Sequence, residues 1–478
     1  MYFYSMNVKK GTQLNVSITD LSTEGKGIFK TEEGFVIFVE KLIPGDKAIV
    51  EIIRKKSGYA EAKLMELTEK SENRIEPRCK HFGTCGGCKF QYLPYQNQLE
   101  YKRKVVVDAF ERIGGFRIPE IPAVIGSDDF YNYRNKMEFS FSDDKWYDVP
   151  VDGKPVPDFA LGLHVPKFYT KVLDIEKCFL QSEISNRILN LTREFFKTKG
   201  TSIYSTKTHS GFLRFLIIRQ TKNTGDLMLN LVTYDYNEQL IKEYSNLIKS
   251  EIPEVTTFVN SFSTKKAQVA FGEDLKIIFG DGFILEKLNN KIRDLIFKIS
   301  PNSFFQTNTI QAEKLYSVAM EYLEPDRDDV VLDLYCGTGS ISLFIADRVK
   351  KVTGVELIEE AIENAKENAE INGIGNAEFV LSDIKEYLKK EILSGDINLS
   401  ATKIILDPPR SGLHPDICKI LSETSFKKIV YISCNPVTQA RDIAAICSTG
   451  KYSIEKIQPV DMFPQTHHIE NICLLIKK

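Results

Sequence analysis

A chain of 478 residues is longer than a single hydrophobic core usually supports, so two or three domains are expected. With 42% hydrophobic residues, 27% charged residues and a net charge of -2, the composition excludes a disordered or fibrous chain, and any nucleic-acid footprint has to be local. No apolar run approaches the ~20 residues of a membrane span, and the start MYFYSMNVKK lacks the apolar stretch and small-residue cleavage site of a signal peptide, so a cytoplasmic location without a membrane partner is expected. Nine cysteines, an odd number, argue for reduced thiols rather than a disulfide framework.

Residues 9 to 67 alternate short β-rich runs (LNVSITDL, GFVIFVEKL, KAIVEIIR, AEAKLMEL) with turn signals at Gly25, Gly27, Gly34, Pro44-Gly45 and Ser57-Gly58, which predicts a small five-stranded barrel. LNVSITDLSTEGKGIFK followed by FVIFVEKLIPGDKAIVEI resembles a TRAM domain, an OB-like RNA-binding module. A basic run follows, with Arg78, Lys80, Lys89, Lys102, Arg103 and Lys104 against the single acid Glu100, interleaved with aromatic residues. Such runs are usually a solvated helix face, and RNA contact is the sharper alternative. Within it, Cys79, Cys85 and Cys88 form C-x5-C-x2-C, and Cys178 follows in DIEKCFLQ; three close thiols and one remote suit a four-thiolate site for either zinc or an iron-sulfur cluster. Gln96 to Ile113 reads as an amphipathic helix ended by Gly114-Gly115 and leading into a second domain. Strand-like stretches FLRFLIIRQ, DLMLNLVTY and TTFVNSF then mix with a few helices, as in an α+β domain. The YRNK run at Tyr133 to Lys136 is either surface polarity or an RNA contact.

From about residue 326 the runs DVVLDLY, KVTGVEL, NAEFVL, KIILD and KIVYISC alternate with helical segments such as IEEAIENAKENAEING. This βαβα pattern predicts a doubly wound parallel sheet with its ligands at the carboxyl ends of the strands. Asp333-Leu-Tyr-Cys-Gly-Thr-Gly339 is a glycine turn between strand and helix, and Ser342 stands where a dinucleotide fingerprint has its third glycine. Glu356 closes the next strand, where a carboxylate can hold both ribose hydroxyls, and Asp383 closes the third, near the expected adenine. Together these ends resemble an S-adenosylmethionine-binding, Rossmann-like methyltransferase.

Two more strand ends carry reactive groups: KIILD-Pro-Pro-Arg410 places Asp407 at one, and KIVYIS-Cys434-Asn-Pro a thiol at another. Asp-Pro-Pro also occurs in amino-group methyltransferases, which need no thiol, so Cys434 discriminates. Carbon 5 of uracil is a poor nucleophile; a thiolate adding at carbon 6 activates it, and a general base must later remove the carbon 5 proton. The run Met462 to Glu470 supplies Glu470 as that base, with His467 and His468 available to orient groups. Cys336, Cys418, Cys447 and Cys473 read as buried small hydrophobes.

The motifs FQTN (305 to 308), DLYCGTG, DPPRSG, SCNPVTQARD and FPQTHHIE resemble the RNA (uracil-5-)-methyltransferase family, and the barrel and cysteines in front resemble its RumA-type branch, which acts on 23S ribosomal RNA. The resemblance implies Cys434 as nucleophile and Glu470 as base. It also implies cofactor or reacting-site contacts for Gln306, Tyr335, Glu356 and Asp407; Gly337, Gly339, Ser340 and Asp383 complete the expected cofactor set. It implies a [4Fe-4S] cluster on Cys79, Cys85, Cys88 and Cys178. The expected architecture is multidomain α/β: an OB-like TRAM barrel over 6–68, a central α+β domain with the cysteine cluster over 69–290, and a Rossmann-like doubly wound methyltransferase domain over 291–478. The expected partner is an RNA substrate, 23S ribosomal RNA ahead of transfer RNA, met by a monomer. A nitrogen methyltransferase would leave Cys434 and Glu470 idle, a pure RNA-binding protein has no use for the cofactor crevice, and a cytosine-5 enzyme would share the thiol chemistry but not the motifs.

Overall fold

The computed structural model describes residues 8–117, 120–148, 158–395 and 398–478; Met6 and Asn7, where the first domain is expected to begin, lie outside them. The first sheet has six strands: β1 (Gln13–Ser17), β2 (Asp20–Leu21), β3 (Gly27–Lys30), β4 (Val36–Val39), β5 (Lys47–Lys55) and β6 (Tyr59–Glu69), in the order β1-β5-β6-β4-β3-β2. The expectation of five strands is corrected because the first run changes partner midway. Ile18 N–H bonds to the Asp46 carbonyl beside β5, and Thr19 N–H to the Ile28 carbonyl on β3. Ile37, Val39, Val50, Ile52 and Ala60 alternate inward to form the barrel core. Asp46, fully buried, ties the exit segment to the barrel by accepting from Ser71 N and the Arg74 guanidinium.

Helix α1 (Tyr95–Asp108) ends in a π turn over Ala109–Ile113, closed by Gly114 N–H on the Ala109 carbonyl. Although α1 falls within the expected central domain, its Val106, Ala109 and Phe110 pack into the core of the C-terminal sheet. The central sheet contains β7 (Lys136–Ser142), β8 (Ala160–Val165), β9 (Phe168–Asp174), β10 (Leu213–Gln220), β11 (Leu227–Thr233), β12 (Thr257–Phe262) and β13 (Asp274–Phe279), ordered β13-β12-β11-β10-β7-β8-β9. Helices α2 (Glu183–Thr198) and α3 (Glu238–Glu251) are started by Ser182 and Asn237 as N-caps and bury Ile188, Phe196, Ile241 and Ile248 against it. The hairpin of β14 (Ile284–Asn289) and β15 (Asp294–Ile299) spans residue 290, so the expected domain boundary cuts a paired unit.

After α4 (Thr309–Leu323) comes the last sheet, with order β18-β17-β16-β19-β20-β22-β21. Its strands are β16 (Val330–Leu334), β17 (Lys351–Glu356), β18 (Ala377–Leu381), β19 (Thr402–Leu406), β20 (Lys428–Ser433), β21 (Tyr452–Val460) and β22 (Glu470–Lys477). Helices α5 (Ser340–Ala346), α6 (Glu359–Ile371), α7 (Ile384–Ser394), α8 (Pro415–Glu423) and α9 (Pro436–Cys447) connect them. Val331, Ile405 and Val430 face the core with α4 to α6, while Leu332, Ile404 and Ile429 face the core with α7 to α9, which is why these strands are apolar without alternation. The expectation of an all-parallel sheet is corrected at its end: β16 to β20 are parallel, but β22 enters antiparallel between β20 and β21. A strand returning by a hairpin has no crossover helix to reverse it.

Candidate active site

Strand order reverses between β16 and β19, and there the carboxyl ends open a crevice. Tyr335, Gly337 and Gly339 follow β16 with φ of 71°, 54° and 78°. A Cβ on Gly337 would meet nothing within 4 Å, so this turn leaves room for a ligand, whereas one on Gly339 would stand 2.9 Å from Phe379 Cζ. Glu356, at the end of β17, accepts from Gly337 N at 3.3 Å and from Leu357 N and Ile358 N at 2.7 and 3.1 Å, which fixes its carboxylate beside the turn. Leu357 and Ile358 are exposed around it, an apolar lip suited to a flat base. Asp383 lies at the third strand end but is also the N-cap of α7, accepting from Glu386 N. Ser340 Oγ is 3.0 Å from the Tyr316 hydroxyl. These residues fit a nucleoside cofactor: an open glycine cradle, a fixed carboxylate and an exposed apolar lip.

Asp333 opens the glycine motif, and the motif alone gives it no role. In the fold it is fully buried and accepts from Ser342 Oγ at 2.5 Å, while its other oxygen is left without a partner. Burial pushes its carboxyl up to about 6. Burial, with the Asp333 charge, pushes Asp407 up to about 7.

Cys434 sits at a strand-to-helix elbow. Asn435 caps α9 through Val437 N and donates to the Arg410 carbonyl, and Pro436 occupies the first helical turn. Ser433 on β20 pairs with Asn471 on antiparallel β22, so continuing the register brings Cys434 beside Glu470, the first residue of β22. Burial, then the charges of Glu470 and Asp407, raises the Cys434 thiol to about 12, with Arg410 opposing. Burial and Asp407 likewise hold Glu470 well above the usual carboxylate range, and Arg410 again opposes. His467 and His468 lie with ring centroids 4.1 Å apart, pushed down by burial and neighbouring positive charge to about 4 and about 3, so both are neutral at neutral pH. Gln306, buried, precedes α4; its carbonyl accepts from Asn135 Nδ2 at 2.9 Å.

The YRNK run turns largely inward. Tyr133 is buried and donates to the Pro464 carbonyl, Asn135 bonds to Gln306 and Thr309, and Lys136 pairs with Glu138. In the basic run Lys102 departs from a solvated helix face, being 1% exposed and bonded to Asp461 at 2.6 Å, whereas Lys104, paired with Asp20, and Arg103, paired with Glu120, stay partly exposed. Sequence separation hides these partners. Cys336, Cys418 and Cys473 are buried, and Cys447 is half-buried.

Cys79, Cys85, Cys88 and Cys178 line one cavity of about 490 Å³, between the segment before α1 and the central sheet. Burial raises all four thiols, Cys85 to about 11. Among the described residues no group of three or more His, Cys, Asp or Glu closes to the spacing of a single metal ion. An all-sulfur donor set fits iron-sulfur chemistry.

A mixed sheet whose five parallel strands carry a glycine cradle and carboxylates at the switch point, with a thiol beside a buried carboxyl, is the frame of a nucleoside-cofactor-dependent methyltransferase. The tRNA (Uracil-5-)-methyltransferase family matches over residues 230–478 and the TRAM domain over residues 7–65. The chain is 41% identical to an uncharacterized RNA methyltransferase of Chlorobaculum tepidum, over 97% of this chain and 96% of that one. It is 42% identical to one of Bacteroides thetaiotaomicron, over 95% and 99%. Its fold is similar to a Pyrococcus abyssi tRNA (uracil-54, C5)-methyltransferase solved with S-adenosyl-L-homocysteine, at a TM-score of 0.77 and 30% identity over 97% of this chain and 100% of that one. The chain belongs to the RNA uracil-5-methyltransferase family, whose members depend on S-adenosylmethionine.

Proposed function

We propose that the protein methylates carbon 5 of a uridine in RNA through a covalent bond between Cys434 and carbon 6 of the base. The observation that carries this reading is the β20–β22 register, which sets one thiol beside one buried carboxyl at the crevice. S-adenosylmethionine, held by the Gly337–Gly339 turn, Ser340, Glu356 and Asp383, supplies an electrophilic methyl group on a cationic sulfonium. Burial raises the carboxyls of Asp333, Asp407 and Glu470, and a cationic ligand beside them would favour their ionised forms. Tyr335 and Gln306 would contact the cofactor or the reacting site, as the family resemblance implies. The Cys434 thiolate adds to carbon 6, which gives carbon 5 the electron density to take the methyl. Glu470 then removes the carbon 5 proton, the electron pair restores the ring double bond, and the sulfur leaves as thiolate.

Cys79, Cys85, Cys88 and Cys178 would hold a [4Fe-4S] cluster, whose soft iron suits four thiolates. For the substrate, 23S ribosomal RNA is the first reading, on the resemblance carried by the barrel and cysteine segment. Transfer RNA is the second reading: the Pyrococcus abyssi enzyme, described as acting on transfer RNA, matches 97% of this chain, so the barrel and cysteine segment do not separate the two substrates.

The test is methyl transfer from labelled S-adenosylmethionine to unmodified 23S ribosomal RNA and, separately, transfer RNA, with mass spectrometry of the nucleosides. Label as 5-methyluridine in ribosomal RNA, lost in Cys434→Ala, supports the first reading; label confined to transfer RNA replaces the substrate. Methylation that survives Cys434→Ala overturns the mechanism.

A further inference from the structure

The turn that delivers Glu470 to the crevice is held from outside its own sheet. Gln465 is buried and has φ of 68°, a left-handed conformation that a side-chain-bearing residue adopts only when its surroundings impose it. Its carbonyl accepts from Lys89 N at 2.8 Å and Phe90 N at 3.0 Å, the two residues after Cys88. Its side-chain oxygen accepts from Gln98 Nε2 at 3.1 Å, and its N–H donates to Gln98 Oε1 at 3.1 Å. The preceding carbonyl, of Pro464, accepts from the Tyr133 hydroxyl at 2.9 Å. Tyr133 is fixed in turn by its neighbours: Asn132 N and Arg134 N donate to the carbonyls of Phe179 and Leu180, both at 2.9 Å, immediately after Cys178.

The near thiols and the remote thiol thus converge on this one turn by separate hydrogen-bonded routes. We propose that the four-thiol site is a positioning device for the general-base turn: joining Cys88 to Cys178 fixes Pro464 and Gln465 from two sides and thereby sets the approach of Glu470 to carbon 5. This rests on the covalent reading given above. Gln98 and Tyr133, both buried and bonded to the turn itself, are positioning residues in the same frame. The step that suffers when the frame loosens is the last one, in which the carbon 5–hydrogen bond breaks, the proton passes to the Glu470 carboxylate, its electron pair forms the ring double bond, and the carbon 6–sulfur bond breaks to return the Cys434 thiolate. Methyl transfer precedes that step and is spared, so the methylated RNA–protein adduct accumulates. A site that only shaped an RNA-binding surface would raise KM and trap nothing.

The experiment compares the full chain reconstituted anaerobically with iron and sulfide, the same chain stripped by chelator, and the variants Cys178→Ser and Tyr133→Phe, the latter removing one hydroxyl. Three quantities are read: tritium release from 5-tritiated uridine in RNA, covalent RNA–protein species on denaturing gels, and hydrogen exchange of residues 462–470. The expected result for the stripped chain and both variants is proton release slowed by about tenfold to a hundredfold relative to methyl transfer. The adduct should accumulate as it does in Glu470→Gln, and exchange of 462–470 should rise. Proton release and methyl transfer falling together, with no trapped species and unchanged exchange, overturns the proposal. Adduct seen with Glu470→Gln but not with the stripped chain or Tyr133→Phe overturns it alone, whereas methylation surviving Cys434→Ala overturns the covalent reading on which it stands.

Discussion

Burial makes Cys434 a weak nucleophile by itself, because a thiol raised to about 12 is almost wholly protonated at neutral pH. Arg410 is the cation that opposes this, and it opposes the raised pKa of Glu470 as well. Both groups act in their charged forms, so activity is expected to fall as pH falls, and adduct formation to keep climbing through the alkaline range toward about pH 12. In Arg410→Ala both groups rise further: the profile should move to higher pH, and adduct formation at pH 7 should drop about tenfold for each unit the thiol gains. Arg410→Lys, keeping the charge, should restore most of it; stopped-flow trapping of the RNA–protein species across pH checks this, and an unmoved profile in Arg410→Ala would remove Arg410 from the account. A second expectation concerns the base: Glu470→Gln should leave methyl transfer to the adduct but block release, giving a labelled species that survives denaturation. The strand pattern placed Cys434 and Asp407 just past strand ends in the sequence, whereas Glu470 came from the run Met462 to Glu470, which carried no strand signal. Arg410 and Asp333 were in motifs too, but their roles depend on which charges burial brings within reach, and spacing does not carry that.

At the scale of the element, the turn after β16 offers two glycines with opposite surroundings. At Gly337 (φ 54°) an added Cβ meets open space, while at Gly339 (φ 78°) it runs into Phe379 and lies 3.1 Å from Ala365 Cβ. Each substitution has a left-handed backbone cost of about 1–2 kcal/mol. Gly337→Ala should therefore fold with a slightly lower thermal midpoint yet bind S-adenosylhomocysteine about tenfold or more weakly, because the methyl enters the cofactor's space. Gly339→Ala should lose stability and binding together. Calorimetric titration beside thermal unfolding separates the two, and equal affinities in Gly337→Ala and the parent would move the cofactor off this turn. The strands themselves were legible: buried runs such as KIILD and KIVYIS cannot be surface elements, and each became a central strand. The direction of β22 was not legible, since it is set by what β21 and β20 leave open between them, a tertiary property. That direction is what brings Glu470 to Cys434.

At the scale of the whole molecule, the helix period in Gln96 to Ile113 was readable, but which face it buries was not. The polar residues Tyr95, Gln98 and Lys102 recur along one side of α1, and each bonds into residues 461–465 near the other end of the chain. Lys102 and Asp461 are 1% and 0% exposed, bonded at 2.6 Å, with Lys102 Nζ also donating to the Phe463 carbonyl and the Tyr95 hydroxyl to Asp461. An ion pair this deep contributes less than its Coulomb energy, because both charges are stripped of water; breaking it on one side leaves the other charge stranded. Lys102→Met should therefore cost about 3–5 kcal/mol in urea unfolding, and Asp461→Leu a similar amount, while the double variant recovers much of the loss. A double variant that is simply the sum of the two singles would mean that the pair does not act as one, and the attachment of α1 to the C-terminal sheet would then rest on its apolar contacts through Val106, Ala109 and Phe110 and on the Gln98 bonds to Gln465. Recovery in the double variant with release of the carbon 5 proton still slow would mean that the charges set the turn's position rather than its stability, since the two apolar replacements would fill the space without holding the Phe463 peptide.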